Sequence, residues 1–262
     1  MPNRWSRSMA AIRHTGLAHC CRDIPEVDMT KRDIRFEEPL YTVAEAARVI
    51  EVPSSTLATW TKGYVRDRFD RPAIVGEAVV TAFPAEGRAP SIPFIGLAEA
   101  MVLAAVRRSG VPMQRVRPAL AALEREMGIG HALASRQLYT DGAEVLYDFG
   151  ADQVDPEVVA SLVVVRNGQR VFVDVVREQL KRIEFGADGY AALLRLPGYR
   201  SDVVCDPTRS FGRPIFVRGG TRVDDVISRF QTGESIEELT EEFGVSVADI
   251  EDALRVASRR AA

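Results

Sequence analysis

Apolar positions recur along this chain in two helical rhythms and one strand rhythm, and each predicts its own elements. Near the C-terminal end, Val223, Val226, Ile227 and Phe230 fall at i, i+3, i+4 and i+7, one face of a helix. Gly233 stops that helix. Ser235 with Glu238 forms a capping box that opens a second helix, whose apolar face is Ile236, Leu239 and Phe243. Gly244-Val245 predicts a tight turn, and Ser246 with Asp249 caps a third helix carrying Val247, Ile250, Ala253, Leu254 and Ala257. A short extended segment, Pro214–Val217, enters this bundle through Gly219 and Gly220, which take positive φ at little cost. Two helices joined by a glycine turn have helix-turn-helix geometry.

The same rhythm begins at Tyr41. Thr42 and Glu45 form a capping box, and Tyr41 is placed to staple onto Ala46. Val43, Ala46, Ala47 and Ile50 share a face, Glu51-Val52-Pro53 breaks the chain, and Ser54–Trp60 predicts a second helix with Leu57 and Trp60 inward. Lys62, Arg66, Arg68 and Arg71 follow in a segment broken by Gly63 and Pro72. Ala98–Arg108 is an apolar helix ended by Gly110. Pro112 restarts a helix with Val116, Ala119, Leu120, Leu123 and Met127 inward.

The middle of the chain has the strand rhythm. Asp141-Gly142 within Leu138–Leu146, and Asn167-Gly168 within Leu162–Val173, each separate two β-prone apolar runs, a hairpin signal. A helix over about residues 174–185 is expected next, with Val176, Leu180 and Ile183 inward. The fold class is therefore mainly α with small β hairpins. Four parts are expected: a flexible arm (1–36), a winged helix-turn-helix (37–130), a hairpin-and-helix middle (131–205) and a helical C-terminal domain (206–262).

Charge separates the two ends. The net charge is −3 over 262 residues, so any nucleic-acid surface must be local. From Asp224 to Asp252 the acids are Asp224, Asp225, Glu234, Glu237, Glu238, Glu241, Glu242, Asp249, Glu251 and Asp252, against one base, Arg229. Such a helix pair repels DNA. Glu237, Glu238, Glu241, Glu242 and Asp249 are the candidate contacts for a protein partner, set against a merely solvated acidic face.

Catalytic and metal chemistry find no pattern. His14, His19 and His131 lie in no nucleophile or metal motif, there is no phosphate-binding loop, and Cys20, Cys21 and Cys205 make neither a disulfide framework nor a zinc set. No cofactor or metal is expected. Residues before Arg35 lack a continuous apolar run, so neither a signal peptide nor a membrane span is expected, and the thiols fit a cytoplasmic protein.

Two resemblances refine the reading. The front run Tyr41-Thr-Val-Ala-Glu-Ala-Ala47, with Val52-Pro53, Ser55-Thr56-Leu57 and Trp60, resembles the winged helix-turn-helix of MerR-like and excisionase-like regulators. Gly110-Val111 with Val116-Arg117 continues the likeness. The pattern departs at Glu51, where a turn glycine is usual, and at Ala58, where an arginine is common. The resemblance implies that Ser54, Ser55, Thr56 and Thr59 face the major groove, while Lys62, Arg66, Arg68 and Arg71 hold phosphates. Arg107, Arg108, Arg115 and Arg117 are further phosphate candidates.

The rear run Gly220-Thr-Arg-Val223, then Gly233, Ser235-Ile-Glu-Glu238 and Asp249-Ile-Glu251 with Ala253-Leu254, is similar to a domain of unknown function found in VapB-type antitoxins. It covers the last part of the chain only. It implies a non-enzymatic antitoxin that neutralises a PIN-domain ribonuclease toxin and represses its own operon as a homodimer on operator DNA. Three alternatives stay open: a ligand-responsive MerR-like regulator without a toxin, a hydrolase using Asp224 and Asp225, and a pure dimerisation module.

Overall fold

Several helices form where a side chain satisfies their first backbone donors. The computed structural model describes residues 32–69, 71–108, 113, 116–117, 120–121, 124–125, 128–138, 165–166, 169–170, 178 and 181–261. Residues Asp33–Ala262 form one unit. Asp33 accepts from the Arg35 N–H to open α1 (Ile34–Glu37). Thr42 and Glu45 exchange bonds at the start of α2 (Val43–Val49), which packs on α3 (Ser54–Lys62). Strands β1 (Tyr64–Arg68) and β2 (Arg71–Gly76) form an antiparallel hairpin, and α4 (Phe94–Arg108) follows.

Helix α4 is buried from Phe94 through Val106, so it is the internal strut of the front half. Residues 113, 116–117, 120–121 and 124–125 are helical, with Val116 and Leu120 buried, as the spacing after Pro112 predicts. The expected arm to residue 36 is too long at its inner end. Residues 34–36 are helical, and Arg35 joins Asp33 to Asp188.

On either side of the hairpin position expected at Asn167-Gly168, β3 (Val165–Arg166) and β4 (Gln169–Arg170) pair antiparallel, while residues 167 and 168 lie outside the described residues. The hairpin around Asp141-Gly142 lies outside the described residues. The helix expected over 174–185 does not reach its end: Ile183–Phe185 is a strand, β5. Gly186 and Gly189 (φ 83°) reverse the chain, with the Gly186 N–H donating to the Tyr190 carbonyl at 2.8 Å. That reversal pairs β5 with β6 (Ala191–Arg195), and strand pairing overrides the helical spacing of Ile183.

Strands β7 (Val203–Cys205) and β8 (Ile215–Phe216) complete an antiparallel sheet of order β5-β6-β7-β8. This sheet runs through the expected boundary at 205/206, because β7 and β8 lie on either side of it. Helices α5 (Val223–Gln231), α6 (Ile236–Phe243) and α7 (Val247–Ala261) follow as the apolar rhythm predicts.

One core joins both halves, from Tyr41, Trp60 and Phe94 to Leu194, Phe216, Val226 and Ile250. Its seam is polar at one point. The buried Tyr41 hydroxyl donates to the Gly212 carbonyl at 2.7 Å. Gly212 has φ 72°, and a Cβ there would lie 2.2 Å from the Tyr41 oxygen, so only glycine fits. Beside this contact Arg213 pairs with Glu45.

Candidate nucleic-acid and partner surfaces

The front surface is organised by the turn between α2 and α3. Glu51 sits at φ 59°, the left-handed conformation that glycine adopts most cheaply. The departure from the regulator pattern therefore changes the side chain and leaves the turn intact. Its carboxylate lies 3.5 Å from Arg260 of α7, so the residue anchors the front turn to the rear helix.

Pro53 precedes α3, and Leu57 and Trp60 point into the core. That leaves Ser54, Ser55 and Lys62 exposed, with Thr56 and Thr59 half-buried on the same helix. The Thr56 hydroxyl accepts from Arg107 at 2.9 Å, which brings one of the further arginine candidates to the helix surface. Arg117 is placed otherwise: its guanidinium lies over the Tyr64 ring and donates to the Thr59 carbonyl. Burial lowers its pKa, and it braces α3 against β1. Arg66 and Arg68 lie on β1 and Arg71 on β2, with Arg68 opposite Arg71 and a register shift between Arg66 and Arg68. At the hairpin base Gly63 packs against the Gly76 carbonyl, and Gly76 lies under the Tyr64 ring.

The rear acids divide into two kinds. Glu238 closes the capping box with Ser235, Asp249 accepts from the Ser246 hydroxyl, and Glu242 holds Arg229 through two bonds of 2.7 Å. Glu237 and Glu241 are exposed on α6 and have no such bond among the described residues. Asp252, read from the sequence as part of a solvated acidic set, is 2 % exposed. It accepts from the backbone N–H groups of Arg200 and Ser201 at 2.6 and 2.8 Å and from the Ser201 hydroxyl at 2.8 Å. Burial would raise its carboxyl, but these bonds and Arg255 hold it below the usual range. Asp252 stands four residues before Val256, itself buried, which puts it on the inward face of α7, a signal that charge type masked.

The sequence also hid a polar cluster around His131. Glu99, buried within α4, accepts from the Thr81 N–H at 2.6 Å and lies 2.8 Å from His131 Nδ1. That hydrogen bond outweighs burial and raises the His131 pKa. His131 also stacks near Phe36 and Tyr190. These residues are far apart in the chain, so no spacing could announce them.

The front and rear spans match different family models. One described as "Putative DNA-binding HTH domain" matches residues 39–120, and one described as "Protein of unknown function (DUF433)" matches residues 203–257. "Putative antitoxin VapB45" of Mycobacterium tuberculosis is 45% identical over 228 residues, covering 85% of this chain and 95% of that protein. The chain belongs to the VapB45 family. "Uncharacterized protein Rv2308" of the same organism is 29% identical over 229 residues, covering 84% of this chain and 90% of that protein. The crystal structure of Rv2018 from Mycobacterium tuberculosis has a TM-score of 0.70 and 43% identity, covering 84% of this chain and 99% of that chain. In this VapB45-family chain the two matched spans meet at the Tyr41–Gly212 hydrogen bond. Among the described residues no helix is long and apolar enough to cross a membrane.

Proposed function

We propose that the chain is an antitoxin whose front helix-turn-helix holds operator DNA and whose rear helices hold a toxin protein. The observation that carries this reading is the contrast between two helix pairs on one core. Helix α3 offers exposed Ser54, Ser55 and Lys62 beside a hairpin bearing Arg66, Arg68 and Arg71, while α6 offers exposed Glu237 and Glu241. The first composition suits phosphates; the second suits a basic polypeptide surface. The hairpin β1–β2 serves as the wing. The name of the 45%-identical relative supports the antitoxin role. The partner is a PIN-domain ribonuclease, and a homodimer in the cytoplasm represses the shared operon.

The test is a mobility-shift titration of Lys62→Ala/Arg66→Ala over a range of salt. Binding should weaken uniformly across operator variants, and the salt slope should fall by roughly one per lost phosphate contact. An unchanged slope removes these residues from the interface. Glu237→Lys/Glu241→Lys should release the toxin and leave operator binding intact; toxin retention by that variant rejects the rear assignment.

A further inference from the structure

The hairpin β1–β2 turns apolar side chains toward solvent. Val65 and Val75 are direct partners across its ladder, and both are exposed. Ladder partners share one face of a ribbon, so the two make an apolar face open to solvent. Phe69, just past the end of β1, is 96 % exposed, more than any other large apolar residue among the described residues. Single exposed apolar residues are ordinary on a protein surface; three on one two-stranded ribbon call for a partner.

The rest of the hairpin says which partner. Arg66 and Arg68 stand on β1 and Arg71 on β2, with Arg68 directly opposite Arg71. Like charges placed opposite each other weaken a ladder, and a polyanion relieves that repulsion. Asp67 and Asp70 share the ribbon, so phosphate attraction alone is modest here and apolar contact has to add to it. An aromatic tip between basic positions is the composition of a wedge that enters the DNA minor groove and opens a base step. Reach agrees with that placement. Helix α3 ends at Lys62, and the five residues of β1 carry the chain about 17 Å onward. With α3 in the major groove, the facing minor groove is half a helical turn away, again about 17 Å. That groove is about 6 Å wide, so it admits the tip and excludes the ribbon behind it.

We propose that Phe69 is an apolar wedge, which enters the minor groove beside α3, inserts into one base step and bends the duplex. Arg68 and Arg71 take the phosphates flanking the insertion. The phenyl ring forms no hydrogen bond to a base edge, so it selects by deformability. Pyrimidine–purine steps, which unstack most readily, are favoured at that position of the operator. This inference rests on the reading of the front half as the DNA-holding half, and it adds to that reading a second groove and a bent operator.

The experiment uses the full chain and fluorescent duplexes tiling the DNA upstream of its own gene. Anisotropy follows binding and end-to-end energy transfer follows bending, each over a range of salt. The parent chain should bind one duplex saturably and bend it. Phe69→Ala should weaken that binding about tenfold, abolish the bend and leave the salt slope unchanged, since no phosphate contact is lost. Phe69→Leu, which keeps an apolar tip, should retain the bend. 2-Aminopurine at the opened step should brighten with the parent chain and stay dark with Phe69→Ala, while thermal melting confirms that both variants fold. Binding without bending by the parent, or full affinity and bend in Phe69→Ala, refutes the wedge and leaves the DNA reading standing. A reduced salt slope in Phe69→Ala assigns the loss to phosphate contacts and also refutes it. A parent chain that binds none of the duplexes overturns both readings. If Phe69→Ala instead lowers the sedimentation mass of the free protein, the tip is a contact between copies and the wedge is rejected.

Discussion

The pairs α2–α3 and α6–α7 open on the same device, a capping box made by Thr42 and Glu45 in one and by Ser235 and Glu238 in the other. Both pairs also turn through a left-handed residue, Glu51 at φ 59° and Gly244 at φ 63°. Their surfaces differ. The second helix of the front pair, α3, leaves hydroxyls and a lysine outside; the first of the rear pair, α6, leaves glutamates, while α7 exposes Arg255 and Arg259. Shared backbone geometry thus says little about which polymer a helix pair meets, and side-chain charge carries that choice. The turns teach something further. Gly244 meets no atom within 4 Å of where its Cβ would be, whereas the Glu51 side chain reaches across to α7. The front turn accepts backbone strain and gains an attachment to the rear half.

The strongest way to break the contrast is to attack a rear acid that is structural. Asp252→Ala strands two backbone donors and a hydroxyl, and should cost about 3 kcal/mol. Urea unfolding, followed by Trp60 fluorescence in a Trp5→Phe background, checks it. Because Tyr41, Glu45 and Glu51 tie the halves together, the front probe should register the full loss. A Trp60 transition that stays in place would mean the halves unfold separately. Glu237→Ala, by contrast, should leave stability within about 0.5 kcal/mol.

The two turns offer a finer comparison. Gly244→Ala should destabilise by about 1 kcal/mol, the cost of a left-handed Cβ with no steric clash. Glu51→Gly should do the reverse by about half as much, since relief of strain slightly exceeds the loss of a partly exposed ion pair. A rise in the denaturation midpoint about half the size of the Gly244→Ala fall supports this account; destabilisation by Glu51→Gly would show that the attachment outweighs the strain.

A pH-dependent effect is expected at His131. Its folded pKa is raised, so its pair with Glu99 contributes fully below about 6.5 and fades as pH rises through the folded value. His131→Asn should therefore lose somewhat under 1 kcal/mol at pH 5.5 and less at pH 9. A difference from the parent chain that grows with pH would contradict the assigned sign.

Local signals were the legible ones. Thr42, Ser235 and Ser246 marked helix starts correctly, and the period of Val223, Val226 and Ile227 placed α5. Non-local pairing was not legible. Ile183 fits a helical face as well as a strand, and only the return of the chain at Gly186–Gly189 decides for β5. Asp252 resembled its exposed neighbours because a buried carboxylate is recognisable only once its donors, fifty residues back, are in place. The His131–Glu99–Thr81 cluster escaped for the same reason. Lys62 and the hairpin arginines were read from residue type and position, and they lie on α3 and on β1–β2.

The Tyr41 hydroxyl and the bare α-carbon of Gly212 make a matched lock at the junction of two spans that match different family models. Grafting another rear module onto this front would succeed only if the donor brought a residue without a side chain to that point. Compatibility in such chimeras would be read at two positions long before any interface with DNA or toxin came into play.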